Sequence, residues 1–152
     1  ALLDAAFGTD RHGRTAYRVR RGMAWKPALS FAALADDGAL LGLIQCWPVM
    51  LAGDDGTRHN LIMVGPVAVH PDAQGRGLGS ALMDAAMAAA DADYPDTPMM
   101  MIGDYDYYRR WDFDAKPTQG WRLDGPFERD RLLIRNAGAL AAGVAGEVVP
   151  RQ

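Results

Sequence analysis

The stretch Val69-His70-Pro71-Asp72-Ala73-Gln74-Gly75-Arg76-Gly77-Leu78-Gly79-Ser80 decides how this chain reads. Its glycines stand at alternate positions directly before a run with helical periodicity. Glycine weakens a helix start, so such a run points to a backbone with another task. Four readings compete. A P-loop ends in Gly-Lys-Ser/Thr, and this chain has no such triplet. A dinucleotide fingerprint is spaced GxGxxG and opens the first strand-helix unit. Here Gly75, Gly77 and Gly79 give GxGxG, and neither Ser80 nor Leu82 supplies the third glycine in register. A plain loop needs no ligand. An anion cradle turns backbone N–H groups toward a pyrophosphate at the positive end of the following helix.

Working outward, the segment before the glycines is apolar from 61 to 69. It follows two more apolar runs, at 28–35 and 39–51. The separators are Asp36-Asp37-Gly38 and Gly53-Asp54-Asp55-Gly56. Turn signals between apolar runs predict an antiparallel meander of three strands. Their near-continuous apolarity predicts a sheet covered on both faces. After the glycines, Leu78, Ala81, Leu82, Ala85, Ala86 and Ala89 share a helical stripe over 78–92. Tyr94-Pro95-Asp96-Thr97-Pro98 stops that helix, and Met99–Ile102 reads as a short buried strand. Strand, helix and strand in this order predict a parallel crossover between 61–69 and 99–102. A polar-aromatic helical turn is expected over 104–111, with further strands near 120–123 and 131–135. The Ala- and Gly-rich tail gives no clear element. At the other end, Leu2, Leu3, Ala6 and Phe7 predict a short helix ended by Gly8.

The 152 residues suffice for one domain spanning 1–152. A formal net charge of -3 gives no basic character that would suggest a nucleic-acid partner. The longest apolar run, 39–53, is interrupted by Gln45 and Pro48 and is too short to span a membrane. No basic segment followed by an apolar stretch opens the chain, so a cytoplasmic protein is expected. Cys46 is the one cysteine, which rules out an internal disulfide. It lies in an apolar strand and reads as a buried, inert thiol.

Gln74-x-x-Gly77-x-Gly79 resembles the Gln/Arg-x-x-Gly-x-Gly/Ala signature of the GNAT superfamily of N-acetyltransferases. The segment VGPVAVHPDAQGRG is similar to that family's fourth strand running into its coenzyme A loop. Tyr107–Phe113, YYRRWDF, resembles the family's Tyr-Tyr-x-Arg-Phe-Gly-Phe segment, and GALAAGVAGEV near the end resembles the YhbS-like bacterial branch. The resemblance covers Leu2 to about Arg135. It implies an α/β fold with a mixed, mostly antiparallel central sheet flanked by helices. The family's first strand precedes its first helix, and nothing here supplies it, so residues upstream are expected. Asp112 replaces the family's glycine; aspartate tolerates a left-handed backbone better than most residues.

The resemblance further implies acetyl-CoA as co-substrate, a small-molecule or peptide amine as acceptor, and direct transfer in a ternary complex. Backbone groups of Val67, Ala68 and Val69 would meet the pantetheine arm. Gln74, Gly75, Arg76, Gly77, Leu78, Gly79 and Ser80 would hold the pyrophosphate. Tyr108 occupies the place of the general acid, with Tyr107 the adjacent alternative. The glutamate that some members carry on the fourth strand corresponds to about Met63, so that base is absent; water leading to Asp104, Asp106 or His70 remains. A homodimer is an analogy drawn from the family. The lacking carboxylate also motivates a second reading, a non-catalytic acyl-CoA-binding module.

Other chemistries find less support. His12, His59 and His70 show no metal-ligand spacing. Neither Ser30 nor Ser80 lies in Gly-x-Ser-x-Gly. Trp47, Trp111 and Trp121 read as core or as walls of an acceptor pocket. The arginines of 11–21, namely Arg11, Arg14, Arg18, Arg20 and Arg21, read as a solvated helix face or as a rim for an anionic ligand.

Overall fold

The structure is a computed structural model and describes residues 2–7, 14–140 and 143–151. Two short helices, α1 (Leu2–Phe7) and α2 (Thr15–Val19), precede the sheet. The meander follows as β1 (Phe31–Leu34), β2 (Leu40–Gly53) and β3 (Arg58–Val69). The long helix α3 (Leu78–Asp93) leads to β4 (Met99–Ile102), then α4 (Tyr105–Tyr108). The chain closes with β5 (Trp121–Arg122), β6 (Leu132–Arg135) and β7 (Gly146–Pro150).

The strands form one sheet in the order β5-β7-β2-β3-β4-β6, with β1 also paired to β2. Pairing is antiparallel except at β3–β4 and β5–β7. The expected parallel crossover from β3 through α3 to β4 is therefore present. Strand alternation sorts the core. Leu61 and Met63 of β3 join Met100, Leu132, Ile134 and Val148 on one face. Ile62 and Val64 join Met99, Met101 and Leu133 under α3 on the other. Both faces are covered, which is why the strands lack a polar side.

Several expectations need correction. In 28–35, Pro27–Leu29 form a 3-10 turn and the strand begins only at Phe31. The buried face of α3 is Leu82, Met83, Ala86, Met87 and Ala90, while Ala81 is exposed. The helix is turned by about one position from the alanine stripe because two methionines offer more apolar surface to bury. The segment at 120–123 is a strand only at Trp121–Arg122. The tail contains β7, which runs antiparallel to β2 from Val49↔Pro150 to Gly53↔Gly146. Gly8 and Arg11 lie outside the described residues.

Two irregularities shape the site. Gln45 stands opposite both Gly65 and Pro66, because the register passes from Ile44↔Val67 to Cys46↔Val64. This is a bulge, and it bends β3 away from a regular ladder. Beyond Met63, β3 and β4 part. They pair only at Ile62↔Met99 and Met63↔Met100, although β3 continues to Val69.

Candidate active site

The split between β3 and β4 leaves one edge of β3 without a strand partner. Which backbone groups face it follows from alternation. The His70 N–H donates to the Leu41 carbonyl at 2.7 Å, so His70 points its backbone at β2. Ala68, two residues back, does the same, and Val67 and Val69 turn theirs to the open side. An extended ligand can add there as a strand would.

At the end of β3 the chain turns through Pro71–Ala73 into the glycine segment. Gly75 has φ +85 and Gly77 has φ +74, both with nothing within 4 Å of an added Cβ. That left-handed backbone explains why glycine stands at these two positions. Gly77 is the N-cap of α3 and gives no side-chain cap. The first helical bond is from Ala81 N–H to the Gly77 carbonyl at 3.1 Å. The N–H groups of Leu78, Gly79 and Ser80 therefore point out of the helix start without a protein acceptor among the described residues. Open glycine backbone, uncapped amides and the positive helix end fit a pyrophosphate.

A groove of about 450 Å³ runs along this segment, lined by Val67, Val69, Ala73, Gln74, Gly75, Gly77, Leu78, Gly79, Ser80, Tyr107 and Tyr108. Of the residues singled out from the sequence, Arg76 and Ala68 do not line it. Ala68 is buried, with its backbone in the ladder to β2. A second cavity of about 720 Å³ opens on the other side of Val67, Tyr107 and Tyr108, which line both. Its apolar wall includes Met63, Val64, Pro66 and Ile102. The two tyrosines thus stand where the groove meets the cavity.

Both are placed by α4, whose start is capped by Asp104 accepting from Asp106 N–H at 3.1 Å. The Tyr107 hydroxyl lies 3.3 Å from the Ser80 Oγ, tying α4 to the helix start. Arg110 adds a guanidinium, 3.2 Å from the same Oγ and stacked on the Tyr107 and Trp111 rings at 4.5 and 4.7 Å. The Trp111 indole donates to Asp84 of α3 at 2.8 Å. Tyr108 packs edge-on against Tyr107, with centroids 4.8 Å apart. Burial, then the neighbouring Tyr107, pushes its phenol up to about 12, so it holds its proton across the physiological range. Asp112 takes φ 68, a left-handed backbone that aspartate tolerates better than most residues.

The remaining candidates separate clearly. Asp104 lines the cavity, whereas Asp106 and His70 do not. His70 caps a turn by accepting from Asp72 N–H at 3.1 Å. Met63, at the position of that glutamate, is buried in the core and borders the cavity. Trp121 and Trp111 belong to the core. Trp47 is half-buried and donates its indole N–H to the Gly65 carbonyl at 2.6 Å; none of these tryptophans lines the cavity. Burial pushes the Cys46 thiol up to about 12, consistent with an inert residue. Of the arginine segment, Arg14 and Arg20 line the cavity, and Arg18 and Arg21 do not. The sequence reading missed Arg110, Arg131 and Gly103. Arg110 lay inside the quoted aromatic motif, but its stacking needs the fold. Among the described residues no group of three or more His, Cys, Asp or Glu side chains could hold a metal ion, and no helix is long and apolar enough to cross a membrane.

A family model described as "Acetyltransferase (GNAT) family" matches residues 2–97. The chain belongs to the GNAT family of acetyltransferases. Among solved structures, this GNAT chain is similar to the GNAT family N-acetyltransferase YhbS of Escherichia coli, solved in complex with CoA. The TM-score is 0.71 at 21% identity, covering 99% of this chain and 81% of that one. It is also similar to a GNAT family acetyltransferase of Brucella melitensis in complex with acetyl-CoA. There the TM-score is 0.58 at 26% identity, covering 80% of this chain and 65% of that one. No curated protein matches the chain.

Proposed function

We propose that this GNAT chain moves an acetyl group from acetyl-CoA to a primary amine, directly, in a ternary complex. One observation carries the reading. The glycine groove and the second cavity meet at Val67, Tyr107 and Tyr108, so a cofactor arm and an acceptor would converge on a protonated phenol. Similar GNAT structures holding CoA and acetyl-CoA support the choice of cofactor.

Acetyl-CoA would supply an acetyl group activated as a thioester. The amides of Leu78, Gly79 and Ser80 would hold its pyrophosphate, and Val67 and Val69 would align its arm through backbone hydrogen bonds. The Tyr108 phenol would offer its proton to the sulfur as negative charge builds there. At about 12 it is a weaker acid than an ordinary thiol, whose pKa is about 8.5. Tyr108 therefore acts chiefly as a hydrogen-bond donor, and it regains from water any proton it gives. The proton lost by the amine leaves to water at the Asp104 rim. The one cysteine is buried, so it cannot carry the acetyl group as a covalent intermediate.

The test is release of free coenzyme A from acetyl-CoA over a panel of amines, amino acids, aminoglycosides and peptides. At least one class should release it above the hydrolysis background. Met63 in place of a β3 carboxylate favours a second reading, an acyl-CoA-binding module. Tight acetyl-CoA binding with no release by any amine would establish that reading instead.

A further inference from the structure

We infer that the acceptor is a small amine that also carries a carboxylate on an apolar body, and that Arg131 receives the carboxylate. This rests on the transferase reading above. The 720 Å³ cavity falls among sites for small ligands, which span about 300–1,000 Å³. Its lining residues include Arg14, Arg20 and Arg131 against one acidic residue among the described lining residues, Asp104.

The three cations are held differently. Arg14 donates to the Phe7 carbonyl at 2.7 Å and lies over the Phe7 ring. Arg20 is buried, donates to the Gly65 carbonyl at 2.6 Å, and sits 4.2 Å from both the Tyr17 and the Trp47 ring centroids. These two are built into the wall by contacts with this chain's own groups. Arg131 is exposed, and only its backbone is tied. Its N–H donates to Glu128 at 3.0 Å, and its carbonyl accepts from Gly103 N–H at 2.9 Å. That second bond sets Arg131 beside the strand end that leads into α4. Its guanidinium makes no hydrogen bond or ion pair with the described residues.

A planar guanidinium matches a carboxylate with two parallel bonds, a stronger pairing than a neutral one. A polycation without an anionic group would meet like charges at this wall. The apolar residues Met63, Val64, Pro66 and Ile102 suit an aliphatic body. Asp104 offers the opposite charge at the same rim for the amine end. An amino acid or the end of a short peptide satisfies all three features.

Calorimetry on the protein alone, with N-acetyl-leucine and N-acetyl-leucinamide, reads the carboxylate separately from catalysis. Losing a hydrogen bond to a charged group costs about tenfold or more in binding. N-acetyl-leucine should bind at least about tenfold tighter than the amide, and R131Q should erase that preference. Equal binding in the unaltered protein, a preference that survives R131Q, or no binding of either ligand overturns the inference. Coenzyme A release with leucine and leucinamide separates the two claims. Equal kcat/KM for both retains the transferase and overturns the carboxylate assignment. Carboxylate-selective binding with no release from any amine does the reverse.

Discussion

The Tyr108 ring lies against Gly103, where an added Cβ would come within 2.6 Å of the ring. Contact with a strand-end glycine, Tyr107 and Phe113 keeps the phenol at the junction of groove and cavity. The sequence placed Tyr108 by its motif, but it could not show that the ring is buried enough to lift its pKa. Two consequences follow from that shift. Because the phenol is a poor match for a thiolate, Tyr108→Phe should lower kcat toward the small end of general-acid effects, by about 100-fold, with acetyl-CoA affinity unchanged. The activity of the unaltered protein should show no loss from this group until the pH nears 12. Stability carries the same sign. An unfolded tyrosine ionises near about 10 while the folded one does not. Its contribution is full below pH 10 and is lost as pH rises through about 12. Denaturant midpoints of the protein and of Tyr108→Phe should therefore fall less steeply above pH 10 for the variant. An unchanged kcat in the variant would remove Tyr108 from the chemistry.

At the scale of elements, the glycine turn and β7 make contrasting cases. The turn was legible because few residues other than glycine accept its backbone; register excluded the dinucleotide fingerprint, and the missing Gly-Lys-Ser/Thr triplet excluded the P-loop. It also separates two effects experimentally. Gly77→Ala adds only the cost of a left-handed backbone, about 1 kcal/mol. Gly77→Glu adds a negative charge at the helix start as well. Calorimetry should show a modest loss of acetyl-CoA binding for the alanine variant and a loss of at least about tenfold beyond it for the glutamate. Equal binding by the two variants would move the pyrophosphate elsewhere. β7 was not legible, since Gly146–Pro150 is short and follows a tail rich in Ala and Gly. Its place is set by long-range pairing with β2 and by Val148, which is 1% exposed against Leu51 and Trp121. Local propensity carries no signal for that. The face of α3 was misjudged for a related reason, because periodicity gives a stripe but not which side chains the sheet has room to take. Val148→Ala should cost about 2 kcal/mol in chemical denaturation. A cost near zero would mean that β7 is not docked as described.

Across the whole molecule, the sheet is one body that is open at one place. β1, β2, β7 and β5 pair on one side of β3, and β4 with β6 on the other, yet β3 and β4 share only two register pairs. A coenzyme arm in that opening would complete the ladder, with its pyrophosphate fixed at α3 and its reactive end at α4. Binding should then stabilise the fold as a unit rather than one loop. At a ligand concentration about 100 times Kd, linkage gives about 2.7 kcal/mol. For a domain of this size that is a rise of about 5 to 10 °C in Tm. Hydrogen exchange tells whether the ligand sits where alternation puts it. The Ala68 amide, already in the β2 ladder, should be protected with or without acetyl-CoA. The Val67 and Val69 amides face the opening and should exchange quickly alone and slow sharply when acetyl-CoA is added. A rise in Tm with no change at Val67 and Val69 would place the cofactor arm outside the split, and the role of the parted strands would fall with it.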